Sequence, residues 1–198
     1  MLPDAKHMNM IDDVLYDAID SAKSCTACEL TEKIFSISGL PMHCPYHHYL
    51  IAAVLLTAAG LNAKKDPEKI KSDLKKARDR AAAVPGGTCG EYGCCGAAIS
   101  AGIFADIWLN TSPMSKKGWA EGNRFTAKAL MNISEIQGPR CCKRVTYLTL
   151  ESAVRDAHLL GADLGCLPNK IICSHFNNNR ECKGTDCPFF PIKHTAAV

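Results

Sequence analysis

Twelve cysteines in 198 residues constrain this chain more than anything else about it. At about 6% they exceed what a hydrophobic core needs, yet they fall below the density of disulfide-stapled miniproteins. They come in groups: Cys25 and Cys28; Cys44; Cys89, Cys94 and Cys95; Cys141 and Cys142; then Cys166, Cys173, Cys182 and Cys187. Residues 1–10 carry Asp4, Lys6 and His7 and hold no apolar export segment. The longest apolar run, 49–61, is shorter than the roughly 20 residues a membrane span needs. The expected compartment is therefore the cytoplasm, where cysteines stay reduced and clusters of them read as metal or redox sites. The adjacent pairs Cys94-Cys95 and Cys141-Cys142 are also awkward in a disulfide framework.

The remaining composition is ordinary: 47% hydrophobic and 22% charged, with a net charge of +3. That charge is too slight to imply a nucleic-acid binder by itself, and none is expected. The fold class expected is mostly α. Met8, Ile11, Leu15 and Ile19 share one helical face. A short hairpin is expected within 30–43, around Ser38-Gly39. Pro45 suits the start of a buried helix over 45–59, closed by Gly60. Asp66-Pro67-Glu68 opens a charged, solvated helix to Val84. Three more helices are expected over 94–109, 118–136 and 139–160, and an irregular cysteine-rich tail follows Gly161. The division expected is an N-terminal helix plus a Cys/His metal module over 1–62. A helical, cysteine-rich unit with a metal-binding C-terminal loop then covers 63–198.

The first cysteine group is Cys25-x2-Cys28, followed after fifteen residues by Cys44, with His47 and His48 next. A Cys-x2-Cys turn lets two sulfurs converge on one ion. Cys44 would cap a helix whose next turn carries His48 on the same face. Cys25, Cys28, Cys44 and His48 would then form a tetrahedral Cys3His site in a treble-clef-like module, with zinc as its ion. His47 and His43 are the other nitrogen candidates. The competing reading is plain buried thiols with surface histidines.

The second group starts at Cys89-Gly90-Glu91-Tyr92-Gly93-Cys94-Cys95-Gly96. Its glycines allow the backbone to wrap closely around a ligand. Cys94 and Cys95 fall at an expected helix start, and so do Cys141 and Cys142, beside Arg140, Lys143 and Arg144. Helix N-termini and cations favour thiolate over thiol. The tail adds Cys173, Cys182 and Cys187. These eight thiols would hold one [4Fe–4S] cluster plus free thiols, or two clusters. Structural zinc competes, because soft thiolate ligands suit both. Arg140, Lys143 and Arg144 would hold an anionic substrate or partner at the mouth.

At these residues the sequence resembles an uncharacterised family of small cysteine-rich proteins from methanogenic archaea and anaerobic bacteria. The motifs are Cys25-x2-Cys28, Cys44-Pro45-x2-His48, Cys89 through Phe104, Gly138-Pro139-Arg140-Cys141-Cys142-Lys143-Arg144, and Cys173 through Phe189, within 25–190. The resemblance implies an anaerobic cytoplasm and a domain of unknown function, and brings no established activity. This chain departs from it after His48, where apolar residues 49–53 stand in place of further cysteines.

Three functions compete. One is an iron–sulfur or sulfur-handling accessory protein with a protein partner or a small anionic or sulfur-containing ligand. Another is a zinc-stabilised adaptor without catalysis. The last is a thiol redox enzyme. No phosphate loop, nucleophile elbow or dinucleotide fingerprint supports other chemistry.

Overall fold

A computed structural model describes residues 2–191; Met1 and residues 192–198, the ends of the two expected units, lie outside them. Among the described residues eight α-helices follow in order: α1 Ala5–Asp20, α2 Ala27–Phe35, α3 His47–Asn62, α4 Pro67–Ala82, α5 Thr88–Glu91, α6 Gly96–Trp108, α7 Trp119–Ser134 and α8 Cys142–Asp156. A single-turn 3-10 segment extends α8 to Leu160, and two more punctuate the tail. There is no strand among the described residues.

The hairpin expected within 30–43 is thus corrected: α2 runs through to Phe35, and residues 36–43 are turns and irregular chain. Thr26 accepts from the Glu29 amide while the Glu29 carboxylate accepts from the Thr26 amide, a reciprocal capping box. That box starts α2 at once and satisfies two otherwise orphaned donors. Cys28 therefore sits on a buried helical turn rather than in a metal knuckle.

Helix α3 is the axle. Every residue from Tyr49 to Leu61 is buried, as expected from its apolar run. Neighbours α1, α2, α4, α6 and α8 pack around it. Gly60 does not close the helix. It lies inside α3, and a Cβ there would meet Ile70 of α4 at 2.7 Å. α6 lies between α3 and α7, and α7 passes on to α8. One hydrophobic core runs from Met8 through α3 and α6 to Phe189, across the 62/63 boundary.

Asp12 is an acidic residue turned into the core. It is buried and accepts from both the Tyr49 hydroxyl and the Arg78 guanidinium, which also bonds Asn9. No helix among the described residues is long and apolar enough to cross a membrane.

Candidate functional site

α8 begins where the cysteines divide. Cys141 is the N-cap, in extended conformation, and Cys142 is the first helical residue. The change of backbone region turns the two side chains apart. Cys141 lines one cavity and Cys142 another.

The smaller and more closed of the two cavities has a volume of about 20 Å³ and is lined by Cys141, Cys173, Cys182 and Cys187. Its walls include Tyr147, Phe176 and Phe189. Backbone amides aim at three of its sulfurs: Arg144 N–H to Cys141, His175 N–H to Cys173 and Gly184 N–H to Cys182, each at 3.4 Å. The Cys173 amide donates to the Phe189 carbonyl at 2.7 Å, which folds the tail back on itself. Burial pushes the Cys173 thiol up to about 11, and the sulfurs of Cys141, Cys187 and Cys182 add to the rise.

The open cavity has a volume of about 680 Å³. Cys44 enters it from the turn before α3, Cys89 from α5, Cys95 from the N-cap of α6 and Cys142 from α8. Burial raises the Cys142 thiol to about 11; Arg140 and the Cys44 amide oppose that rise, and the Cys95 sulfur adds to it. Cys95 is raised mainly by burial, against the Ala97 and Ala98 amides. His48 donates from Nδ1 to the Val84 carbonyl at 3.0 Å, which leaves its Nε2 a lone pair. Its ring lies on Gly96, where any Cβ would fall well inside van der Waals contact. A histidine with one ring nitrogen held by a carbonyl is oriented as metal-binding histidines are.

Each site residue expected from sequence can now be placed. Cys44 and His48 share the open cavity with Cys89, Cys95 and Cys142. Cys25 and Cys28 do not join them. The Cys25 carbonyl accepts from Asn62 at the far end of α3, about 22 Å along the helix from His47. The treble-clef grouping is therefore not assembled: Cys25 lies at the opposite end of α3 from Cys44 and His48, and Cys28 does not line their cavity. Cys94 neighbours Cys95 but does not line the cavity, and Cys166 is exposed elsewhere.

Of the expected anion-binding residues, Arg140 is exposed on the open cavity, and Arg144 is buried with Nη2 on the Pro139 carbonyl. Lys143 is turned inward. It is 2% exposed, 2.9 Å from the Tyr46 hydroxyl and 3.5 Å from the Phe35 ring centroid.

The helix-start cysteines also correct an expectation. Desolvation outweighs the helix dipole and nearby bases, so Cys94, Cys95, Cys141 and Cys142 are all raised. Among the described residues, no three Cys, His, Asp or Glu side chains stand as a group ready to hold a metal ion. The sulfurs line their cavities without meeting at one point.

Sequence patterning alone did not reveal Tyr46 and Lys143 as a buried pair. Lys143, Tyr147 and Leu150 share one face of α8 by the i, i+4, i+7 rule, and that spacing could have placed the lysine inward.

Fold and site together define a mostly helical, cysteine-rich protein with two thiol-lined cavities meeting at one helix start. The chain belongs to a family described as a family of unknown function, DUF5714, which matches residues 15–190. No curated protein and no solved structure matches it.

Proposed function

We propose that the chain is a metal–thiolate protein with two centres sharing the first turn of α8. A structural zinc takes Cys141, Cys173, Cys182 and Cys187. A [4Fe–4S] cluster takes Cys44, Cys89, Cys95 and Cys142. The observation that carries this reading is the division of eight cysteines, four and four, between two cavities that meet at Cys141-Cys142.

Size separates the two occupants. The closed cavity has room for about one atom-sized guest, a little more than one water. That suits a single ion bound at ~2.3 Å from each sulfur, after rotation of the thiols about χ1. The open cavity has room for a cluster and a ligand beside it. Amide donors at the sulfurs support thiolate in both.

Burial also weighs against a thiol redox enzyme, since protonated, desolvated thiols are poor nucleophiles. A bound cation removes that obstacle by taking the proton's place. An oxygen-free cytoplasm, with a protein partner or a small anionic or sulfur-containing ligand at Arg140, completes the reading.

The test is anaerobic purification with iron, zinc and acid-labile sulfide counts and a visible spectrum. We expect a brown protein with about one zinc, four irons and four sulfides per chain. Cys141→Ala should lose the zinc and Cys142→Ala the iron, while Cys25→Ala keeps both. A colourless protein with zinc and no sulfide, even after cluster reconstitution, would put the zinc adaptor in its place.

A further inference from the structure

The four cysteines of the open cavity are not equally held. Cys95 caps α6 and Cys142 opens α8, and both helices are anchored in the core. Cys44 leads into α3, which is buried from Tyr49 to Leu61. Backbone amides support the sulfurs of Cys95 and Cys142.

Cys89 differs in every respect. It lies on the four-residue α5, and residues 89–93 are all exposed. Gly87 at φ +100° and Gly93 at φ +63° bracket the segment in backbone conformations that side-chain-bearing residues rarely adopt. Only Thr88 is buried there, and its hydroxyl has no partner. No hydrogen bond among the described residues reaches the Cys89 sulfur.

Resting on the cluster reading above, we propose that Cys89 is an exchangeable ligand. It yields one iron of the open centre to a small organic anion entering the same cavity. Three ligands at or just before the starts of anchored helices hold the cluster without it. The cavity wall supplies the rest: the exposed Arg140 guanidinium for the charge, and Ile133, Ile136 and Val145 for an apolar body. The step is ligand exchange and not redox. A donor atom of the anion forms the new bond to iron, the Cys89 sulfur–iron bond breaks, and the departing thiolate takes a proton from water. Iron keeps its oxidation state throughout.

The experiment uses the full chain reconstituted without oxygen, with cyanide as the probe anion and the reduced cluster's electron paramagnetic resonance as readout. Cys89→Ala should keep about four irons and four sulfides, whereas Cys142→Ala loses them. Cyanide should change the spectrum of both wild type and Cys89→Ala, with apparent affinity about tenfold or more tighter in the variant, where no thiolate competes. Adding Arg140→Gln should weaken that binding and leave the iron count alone.

If Cys89→Ala loses its iron as Cys142→Ala does, four cysteines are obligate and the proposal falls, while the cluster reading stands. If Cys89→Ala keeps its iron but binds no cyanide, and Cys89→Ala/Cys94→Ala loses the cluster, Cys94 has filled the position and the proposal falls equally. A wild-type protein without iron or sulfide overturns the cluster reading itself.

Discussion

Replacing Lys143 by methionine should act with opposite signs on the metal-free and metal-loaded protein. The side chain is buried between the two cysteine sets, with the thiols of Cys142, Cys173 and Cys141 around its ammonium. No carboxylate among the described residues lies within ion-pair distance of it. Burial pushes the ammonium down from 10.5 to about 8, a displacement corresponding to a charging cost of roughly 3 kcal/mol. Against that cost stand the Tyr46 hydrogen bond, worth about 1 kcal/mol, and the Phe35 cation–π contact, worth about 1 kcal/mol. Methionine keeps the stem's volume and loses all three effects. The metal-free chain should therefore gain about 1 kcal/mol near pH 7, or about 2–4 °C in Tm. With metal bound as proposed, the flanking thiols would be thiolates and the ammonium their buried countercharge. Removing it there should cost stability and metal occupancy, because uncompensated buried charge is strongly unfavourable. Thermal unfolding of Lys143→Met and wild type, each with and without metal, reads both signs. The same sign in both states, or a metal-free variant destabilised by more than about 2 kcal/mol, would refute the argument.

Asp12→Ala leaves the Arg78 guanidinium and Tyr49 hydroxyl without their shared acceptor and should cost about 3–5 kcal/mol. Urea titration should show this as a lower midpoint, with metal counts per folded chain unchanged. Gly102→Ala would bring a Cβ to 2.7 Å from the Gly122 carbonyl oxygen, a backbone neighbour that cannot swing aside. Forcing α6 from α7 should cost about 1–3 kcal/mol in thermal unfolding. Removal of zinc alone by a chelator should open the tail beyond residue 166 to proteases while α1–α8 keep their far-ultraviolet helical signal, and an unchanged cleavage pattern would contradict a structural zinc there.

Helices were the legible part of this chain. The apolar run of α3, Asp66-Pro67 before α4 and the cysteine pairs before α6 and α8 each carried their own start or period. The error at α2 was local: Thr26-Ala27-Cys28-Glu29 spells a capping box, yet Cys-x2-Cys drew attention to the sulfurs instead. Grouping was harder, because spacing along the chain says nothing about which helix ends converge. Cys44 lies close in sequence to Cys25 but is parted from it by the length of α3, whereas Cys142 comes to it from almost a hundred residues away. The thiol shifts misled for a related reason. A helix start can be read from sequence, but the burial that overrides its dipole is a property of the whole core.

The Cys141-Cys142 step ties the two cavities into one mechanical unit. Cys141 keeps extended backbone and Cys142 begins the helix, so one peptide bond faces both sets. Consecutive Cα atoms are about 3.8 Å apart and each metal–sulfur bond adds ~2.3 Å, which keeps any two centres in these cavities near neighbours. An ion on Cys141 would draw the tail cysteines against the first turn of α8 and so fix the backbone from which Cys142 projects. His43 repeats the link on the other side, accepting from the Cys142 amide and bonding Asn179 of the tail at 3.1 Å. An ion in the closed set would therefore do more than stabilise the tail. It would set the position of Cys142 in the open cavity, while Cys89, opposite, lies on an exposed four-residue helix.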